Sequence, residues 1–530
     1  MKKVSIQFVS QCLVVISLFG LIACGSSNND PGSGDNLTWT VNVFHDEAQF
    51  KNLCETPRTG IDPFTGNSYP DRAGSTLVEN NWLRSWSNNT YLWYDEITDN
   101  DPGNFSDTES YFTQLKTNQT SNSGQAKDKF HFTYPSDEWQ QLTQSGISAG
   151  YGADWAILQS SPPRRILIAY TEPNSPASAQ NLFRGAEILE IDGVDAVNGG
   201  SQADVDVINA ALYPSDVDES HEFVLREVGQ TTTRTVTLVS EEITSTPVQN
   251  VTAVNTDTGR VGYMLFNSHI ATAEAQLVDA INQLSNENIT DLVLDLRYNG
   301  GGLLAIASEL AYMIAGSAAT SGQNFDNLVF NDKHTVTNPV TGRALSPTPF
   351  YTTARGFSVT QGQSLPTLNL DRVFILSTDG TCSASEAIIN GLRGVDVEVI
   401  LIGDTTCGKP YGFYPTDNCG TTYFTVQFRG ENAKGFGDYS DGFSPANTQG
   451  VVGEAITGCS VEDDFQNLLG DPQEGQFAAA LDYRITGSCP TVATKSAPSD
   501  SQKSGLDSAI KRISPIEKSL ILEARVSANR

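Results

Sequence analysis

Basic side chains are scarce in this 530-residue chain: 32 Lys and Arg stand against 62 Asp and Glu, for a formal charge of −30. Phosphate recognition needs clustered cations, so nucleic acid is excluded as a partner. The 5 histidines are scattered and no Cys-x-x-Cys pair occurs, so the spacing offers no metal-ligand set, and neither metal nor cofactor is expected. The run Gly300-Gly301-Gly302 is not followed by the Gly-Lys-Ser/Thr of a phosphate loop, which removes nucleotide binding. The apolar run from Val9 to Ile22 is too short and wrongly flanked for a stable membrane span.

What that run does fit is an export signal: Lys2 and Lys3, a short greasy segment, then small residues and a polar stretch. Leu21-Ile22-Ala23-Cys24 resembles the lipobox of bacterial lipoproteins, which implies a signal over 1–23 and lipid on Cys24. Gly25 follows where an Asp signals inner-membrane retention, so the resemblance implies the outer membrane, with the chain facing the periplasm. Residues 24–39 read as a flexible tether rich in Ser, Asn and Gly.

Of the 8 cysteines, Cys12 falls in the signal and Cys24 is the expected anchor. The remaining six suit disulfides in an exported protein. Nearness in sequence favours Cys407 with Cys419 and Cys459 with Cys489, leaving Cys54 for Cys382.

The length is too great for one core and allows roughly three or four domains at about 150 residues each. Residues 40–143 read as a helical N-terminal domain, with Trp82, Trp86, Leu92 and Trp93 forming an apolar stripe over 80–97. Residues 144–243 change to short alternating strands and turns, a small β domain. From 244 to 489 strands alternate with helices: strands over 260–266, 291–296, 372–377 and 397–403, helices over 271–285, 303–314 and 383–392, then a closing helix after 470. This pattern predicts a mainly parallel sheet covered on both faces, in a multidomain α+β chain. Residues 320–370 look like an irregular insertion, and 490–530 like a disordered or weakly helical tail.

Catalytic groups in parallel sheets gather at the carboxyl ends of strands, and three such ends are unusual here. Asp295-Leu296-Arg297-Tyr298-Asn299 runs into the glycines, whose backbone can approach a bound group closely. Cys382-Ser383-Ala384-Ser385-Glu386 follows the next strand; Ser-x-x-Glu is also a helix capping box. Thr406-Cys407-Gly408-Lys409 follows the strand after that. A right-handed crossover brings Ser383 and Lys409 to one edge. A buried Lys favours its neutral form and can then take a serine proton, while Gly301 or Gly302 with the amide of Ala384 can donate to an oxyanion.

These residues resemble the carboxyl-terminal processing, or tail-specific, proteases, in which strand–DLR-N-x-GG, SAS-E and a following GK motif recur. The resemblance implies Ser383 as nucleophile and Lys409 as base, on a ClpP/crotonase-like core. It extends to a PDZ-like domain: Pro173-Asn174-Ser175-Pro176-Ala177 and Gly185-Ala186-Glu187-Ile188-Leu189 are similar to PDZ segments, with Gly150, Tyr151 and Gly152 where a peptide carboxylate would bind. Partners are then proteins or peptides with free C-termini, and the membrane through Cys24. One departure stands out: Phe413 occupies the position four after the Lys where many members carry an orienting Gln. Two other readings remain open, a histidine base drawn from His131 or His269, and a peptide-binding lipoprotein without turnover.

Overall fold

The structure, a computed structural model, describes residues 37–490 except Val452. The export signal, Cys24, most of the tether and nearly all of the tail therefore lie outside the described residues. Among those described, no helix is long and apolar enough to cross a membrane.

The N-terminal segment holds α1 (Thr76–Thr90), capped by Ser75, whose side chain accepts the Val78 amide, and α2 (Ser136–Ser145). The helix expected over 80–97 stops at Thr90 because Tyr91 turns to extended geometry (ψ 135°). Trp82 and Trp86 stack at 5.1 Å on its buried face, while Leu92 and Trp93 leave the helix and join a second aromatic cluster around Tyr411 and Phe413. This segment also contributes a strand. Phe132–Pro135 pairs antiparallel with Thr421–Phe424, and Cys54 is bridged to Cys419 at the tip of that hairpin.

A five-strand antiparallel ladder follows, made of β1 (Ala153–Gln159), β2 (Arg165–Thr171), β3 (Glu187–Ile191), β4 (Ser220–Arg226) and β5 (Arg234–Val239), with α3 (Gln202–Leu212) packed against it.

The largest sheet has the order β6 (Val248–Thr256), β7 (Gly259–Phe266), β8 (Ile289–Asp295), β9 (Arg372–Ser377), β10 (Glu398–Gly403) and β11 (Gly458–Ser460). Only β6 runs antiparallel to its neighbour; β7 to β11 are parallel throughout. Alternation along each strand splits the core. Leu292, Leu294, Val373 and Ile375 face α4 (Ala273–Asn286), α5 (Leu304–Thr320) and α6 (Ala384–Gly394). Val293, Phe374, Leu376 and Ile400 face α7 (Gly475–Thr486). The 320–370 stretch is irregular except where Asn324–Phe330 pairs with Phe428–Glu431 and with Thr348–Pro349. In register, Asp295 pairs Leu376, and Leu376 pairs Ile402, so β8, β9 and β10 end side by side.

Behind the sheet, Glu274 on α4 and Glu309 on α5 are both nearly fully buried. Glu274 accepts the amides of Arg355, Gly356, Ser358 and Val359, and so pins the insertion to the helices. Burial, with the Glu274 carboxylate second, pushes Glu309 up to about 9, and protonated Glu309 hydrogen-bonds Glu274. A folded value above the ordinary 4.5 means that the folded state holds a proton which the unfolded chain releases. The contribution is complete below the unfolded value and is lost as pH rises toward about 9. Thermal melting measured between pH 5 and pH 9 should thus fall with pH in the wild type and fall less in Glu309→Gln.

Candidate active site

Three loops leave the adjacent ends of β8, β9 and β10 and converge. Ser383 sits at the turn from β9 into α6 with φ 56° and ψ −112°, a conformation a non-glycine residue adopts only at a cost of about 1–3 kcal/mol. A sharp strand-to-helix turn of this kind lifts a serine hydroxyl clear of the helix it starts. The expected capping box is half closed. The Ser383 amide donates to Glu386 Oε2 at 3.0 Å, but Ser383 Oγ has no hydrogen-bond partner among the described residues. Ser385 Oγ instead donates to the Asn299 carbonyl at 3.0 Å, tying α6 to the glycine loop.

Glu386 is fully buried and gathers the other loop. Its Oε2 accepts the Lys409 amide at 2.8 Å, and its Oε1 accepts the Gly408 amide at 2.9 Å and the Thr406 hydroxyl at 2.5 Å. Burial raises its pKa, and these donors work against the rise. One carboxylate oxygen thus holds the backbones of both Ser383 and Lys409. A disulfide joins the same two loops, Cys382 to Cys407. The expected pairings of Cys407 with Cys419 and of Cys54 with Cys382 are corrected: Cys419 reaches Cys54, Cys407 reaches Cys382, and of the three expected bridges Cys459–Cys489 is the one that forms. Cys382, Glu386 and Cys407 are the one group among the described residues with metal-ligand spacing, and the two sulfurs are bonded to each other.

Lys409 is 1% exposed. Its Nζ lies 4.5 Å from the Phe413 ring centroid and 4.9 Å from that of Phe130. Phe413 is therefore not an idle replacement: it offers a ring face, which attracts an ammonium group without fixing its direction as a hydrogen bond does. Phe130 shows that the N-terminal segment forms one wall of the site.

In the third loop, Gly301 (φ 107°) and Gly302 (φ 134°) hold conformations that favour glycine. A Cβ on Gly301 would stand 2.8 Å from Ser383 Cβ and 3.0 Å from the Ala384 nitrogen. The Gly301 amide donates to Asn299 Oδ1 at 3.0 Å, which removes it as an oxyanion donor, contrary to the expectation that either glycine can serve. Among the described residues the Gly302 and Ala384 amides make no such bond to a side chain. The loop is anchored by Arg297, fully buried among Asp295, Asp463 and Glu474. Tyr298 donates to Asp463 and accepts from Arg184 of the 144–243 unit.

His269 lies beside this loop. Its Nδ1 is 2.9 Å from Asn299 Oδ1, and Asn299 Nδ2 donates to the Phe266 carbonyl. That orientation assigns the proton to Nδ1 and leaves Nε2 as a bare acceptor with no partner among the described residues. Burial pushes His269 down to about 4. Both nitrogens of His131 are occupied, by the Phe112 carbonyl and Thr425 Oγ1. Gly150, Tyr151 and Gly152 lie elsewhere, on the 144–243 unit, with the Tyr151 carbonyl accepting the Ala177 amide at 2.9 Å.

The fold and these loops define an α/β chain with a serine at a strand-to-helix turn beside a buried lysine. Residues 260–414, which contain both, match the model of Peptidase family S41. Among curated proteins the chain is similar to a carboxyl-terminal-processing protease of Picosynechococcus sp. (27% identical, over 45% of this chain and 49% of that one). It is likewise similar to the chloroplastic C-terminal processing peptidase of Tetradesmus obliquus (32%, over 28% of this chain and 33% of that one). The chain thus spans half or less of these relatives' length. An S41-protease homologue of known structure from Bacteroides fragilis NCTC 9343 shares the fold, with a TM-score of 0.57 at 23% identity over 79% of this chain and 98% of that one.

Gly301→Ala should destabilise the protein by at least about 1–3 kcal/mol, because an alanine there is strained at φ 107° and meets Ser383 as well. Chemical denaturation checks this.

Proposed function

We propose that the protein is a serine endopeptidase that hydrolyses peptide bonds of exported proteins or peptides, with Ser383 as nucleophile and Lys409 as its base. The observation that carries the reading is the Glu386 carboxylate holding the Ser383 and Lys409 amides on one oxygen. Such an arrangement sets nucleophile and base in a fixed relation, and the S41 match spans both residues. Burial disfavours the lysine ammonium and readies the amine to accept the serine proton. Peptide attack by Ser383 Oγ puts negative charge on the carbonyl oxygen, and the Gly302 and Ala384 amides stand to receive it. The protonated lysine then returns its proton to the leaving amine.

Substrate entry by a free C-terminus, received at Gly150, Tyr151 and Gly152 on a PDZ-like unit, belongs to the same proposal. So does a membrane tether through lipidated Cys24 at the periplasmic face of the outer membrane. The antiparallel ladder β1–β5 and its single long helix agree with the first of these.

A second reading has its own observation: the bare Nε2 of His269, with Asn299 fixing the tautomer, has the form of a serine–histidine base. The two readings separate by mutation and pH. Ser383→Ala and Lys409→Ala should each abolish cleavage of an unfolded protein, analysed by product mass, with melting unchanged. His269→Gln should retain turnover under the lysine reading. If histidine is the base, His269→Gln is inactive and the wild-type acidic limb lies near about 4. Turnover by Ser383→Ala overturns both.

A further inference from the structure

We propose that the Cys382–Cys407 disulfide is a positioning element of this site, and that its reduction by an external dithiol switches turnover down without unfolding the protein. The proposal rests on the Ser383–Lys409 reading.

Cys382 directly precedes Ser383, and Cys407 lies two residues before Lys409, so the bridge joins the nucleophile's turn to the base's loop across a sequence separation of 25. The other two bridges lie apart from the site. One ties the N-terminal segment to a hairpin tip, and the other ties β11 to the end of the described chain. The Lys409 backbone is held by Glu386, and the bridge fixes the loop that carries it to the Ser383 turn.

Reduction leaves other contacts between the loops in place. The Cys407 amide donates to the Thr381 carbonyl at 3.0 Å, and Glu386 keeps the Thr406 hydroxyl and the Gly408 amide as donors. The chemistry at Glu386 nonetheless changes. Cys407 Sγ stands 3.4 Å from Glu386 Oε2, the oxygen that holds both the Ser383 and Lys409 amides. A disulfide sulfur has no hydrogen to donate, whereas a freed thiol does, and it competes with those amides for Oε2. Cys407 is partly exposed and Cys382 is buried, so the entering thiolate attacks Cys407 sulfur and expels Cys382. The reagent's second thiol then displaces Cys407. Two electrons and two protons pass to the protein, giving two thiols and one oxidised dithiol.

The test uses the protein oxidised, treated with dithiothreitol, and as Cys382→Ala/Cys407→Ala, with Cys459→Ala/Cys489→Ala as control. The expected result is a kcat about tenfold lower in the reduced protein and in the first variant, with KM within about twofold. Reoxidation restores the wild type, and the first variant does not respond to reductant. The control variant keeps its kcat, and melting shows every form folded. Hydrogen exchange at 381–386 and 406–409 should rise on reduction, a readout that needs no turnover. Wild-type kcat and unchanged exchange in the first variant overturn the proposal. Raised exchange in a wild type that cleaves nothing would uphold the clamp and sink the peptidase reading.

Discussion

The Glu386 carboxylate is the constraint on which the site depends. A buried carboxylate is costly unless its oxygens are satisfied, and here one hydroxyl and three amides from two loops satisfy it. The strained turn at Ser383 persists because its amide is one of those donors. The Lys409 loop returns to the sheet edge because two more of its amides are. Neutralising Glu386 would weaken every one of these bonds together, so the same group that shapes the site also makes it sensitive to whatever reaches that pocket.

A second buried charge centre supports the third loop from the opposite side. Arg297 is surrounded by three carboxylates, and such a cluster holds only while it is complete, since removing one partner strands a charge in low dielectric. Through Tyr298 and Asp463 it also touches Arg184 of the β1–β5 unit. The glycine loop is thereby in hydrogen-bonded contact with the 144–243 unit.

The sheet was legible because apolar strands of β7 to β10 alternate with helices, and because strand ends are where unusual residues concentrate. That logic alone gathers the loops of Ser383, Lys409 and the Gly301–Gly302 pair at one edge, where the register of β8, β9 and β10 places them. Other features escaped it for physical reasons. Sequence distance misdirected the cysteines, since a hairpin tip carries Cys419 away from Cys407 and toward Cys54. The end of α1 at Thr90 has no glycine or proline to announce it, and packing around Tyr411 draws Trp93 away. The commitment of the Gly301 amide to Asn299 is a side-chain matter that no spacing encodes. Phe413 reads as a departure in the sequence because a ring cannot replace the hydrogen bonds of a Gln, and its contact with Lys409 is visible only in the fold.

The same aromatic residues explain why the N-terminal segment belongs to the site. Phe130 and Phe413 flank Lys409, Trp93 meets Tyr411 edge-on at 4.8 Å, and the Leu92 amide donates to the Val426 carbonyl. Ser383 and Lys409 are both almost without solvent exposure, and Phe130 is part of what covers Lys409. Moving Phe130 removes apolar shielding and ring contact at once. The cover over Lys409 is thus built by the N-terminal segment as well as by residues 260–414, which a view of that stretch alone would leave out.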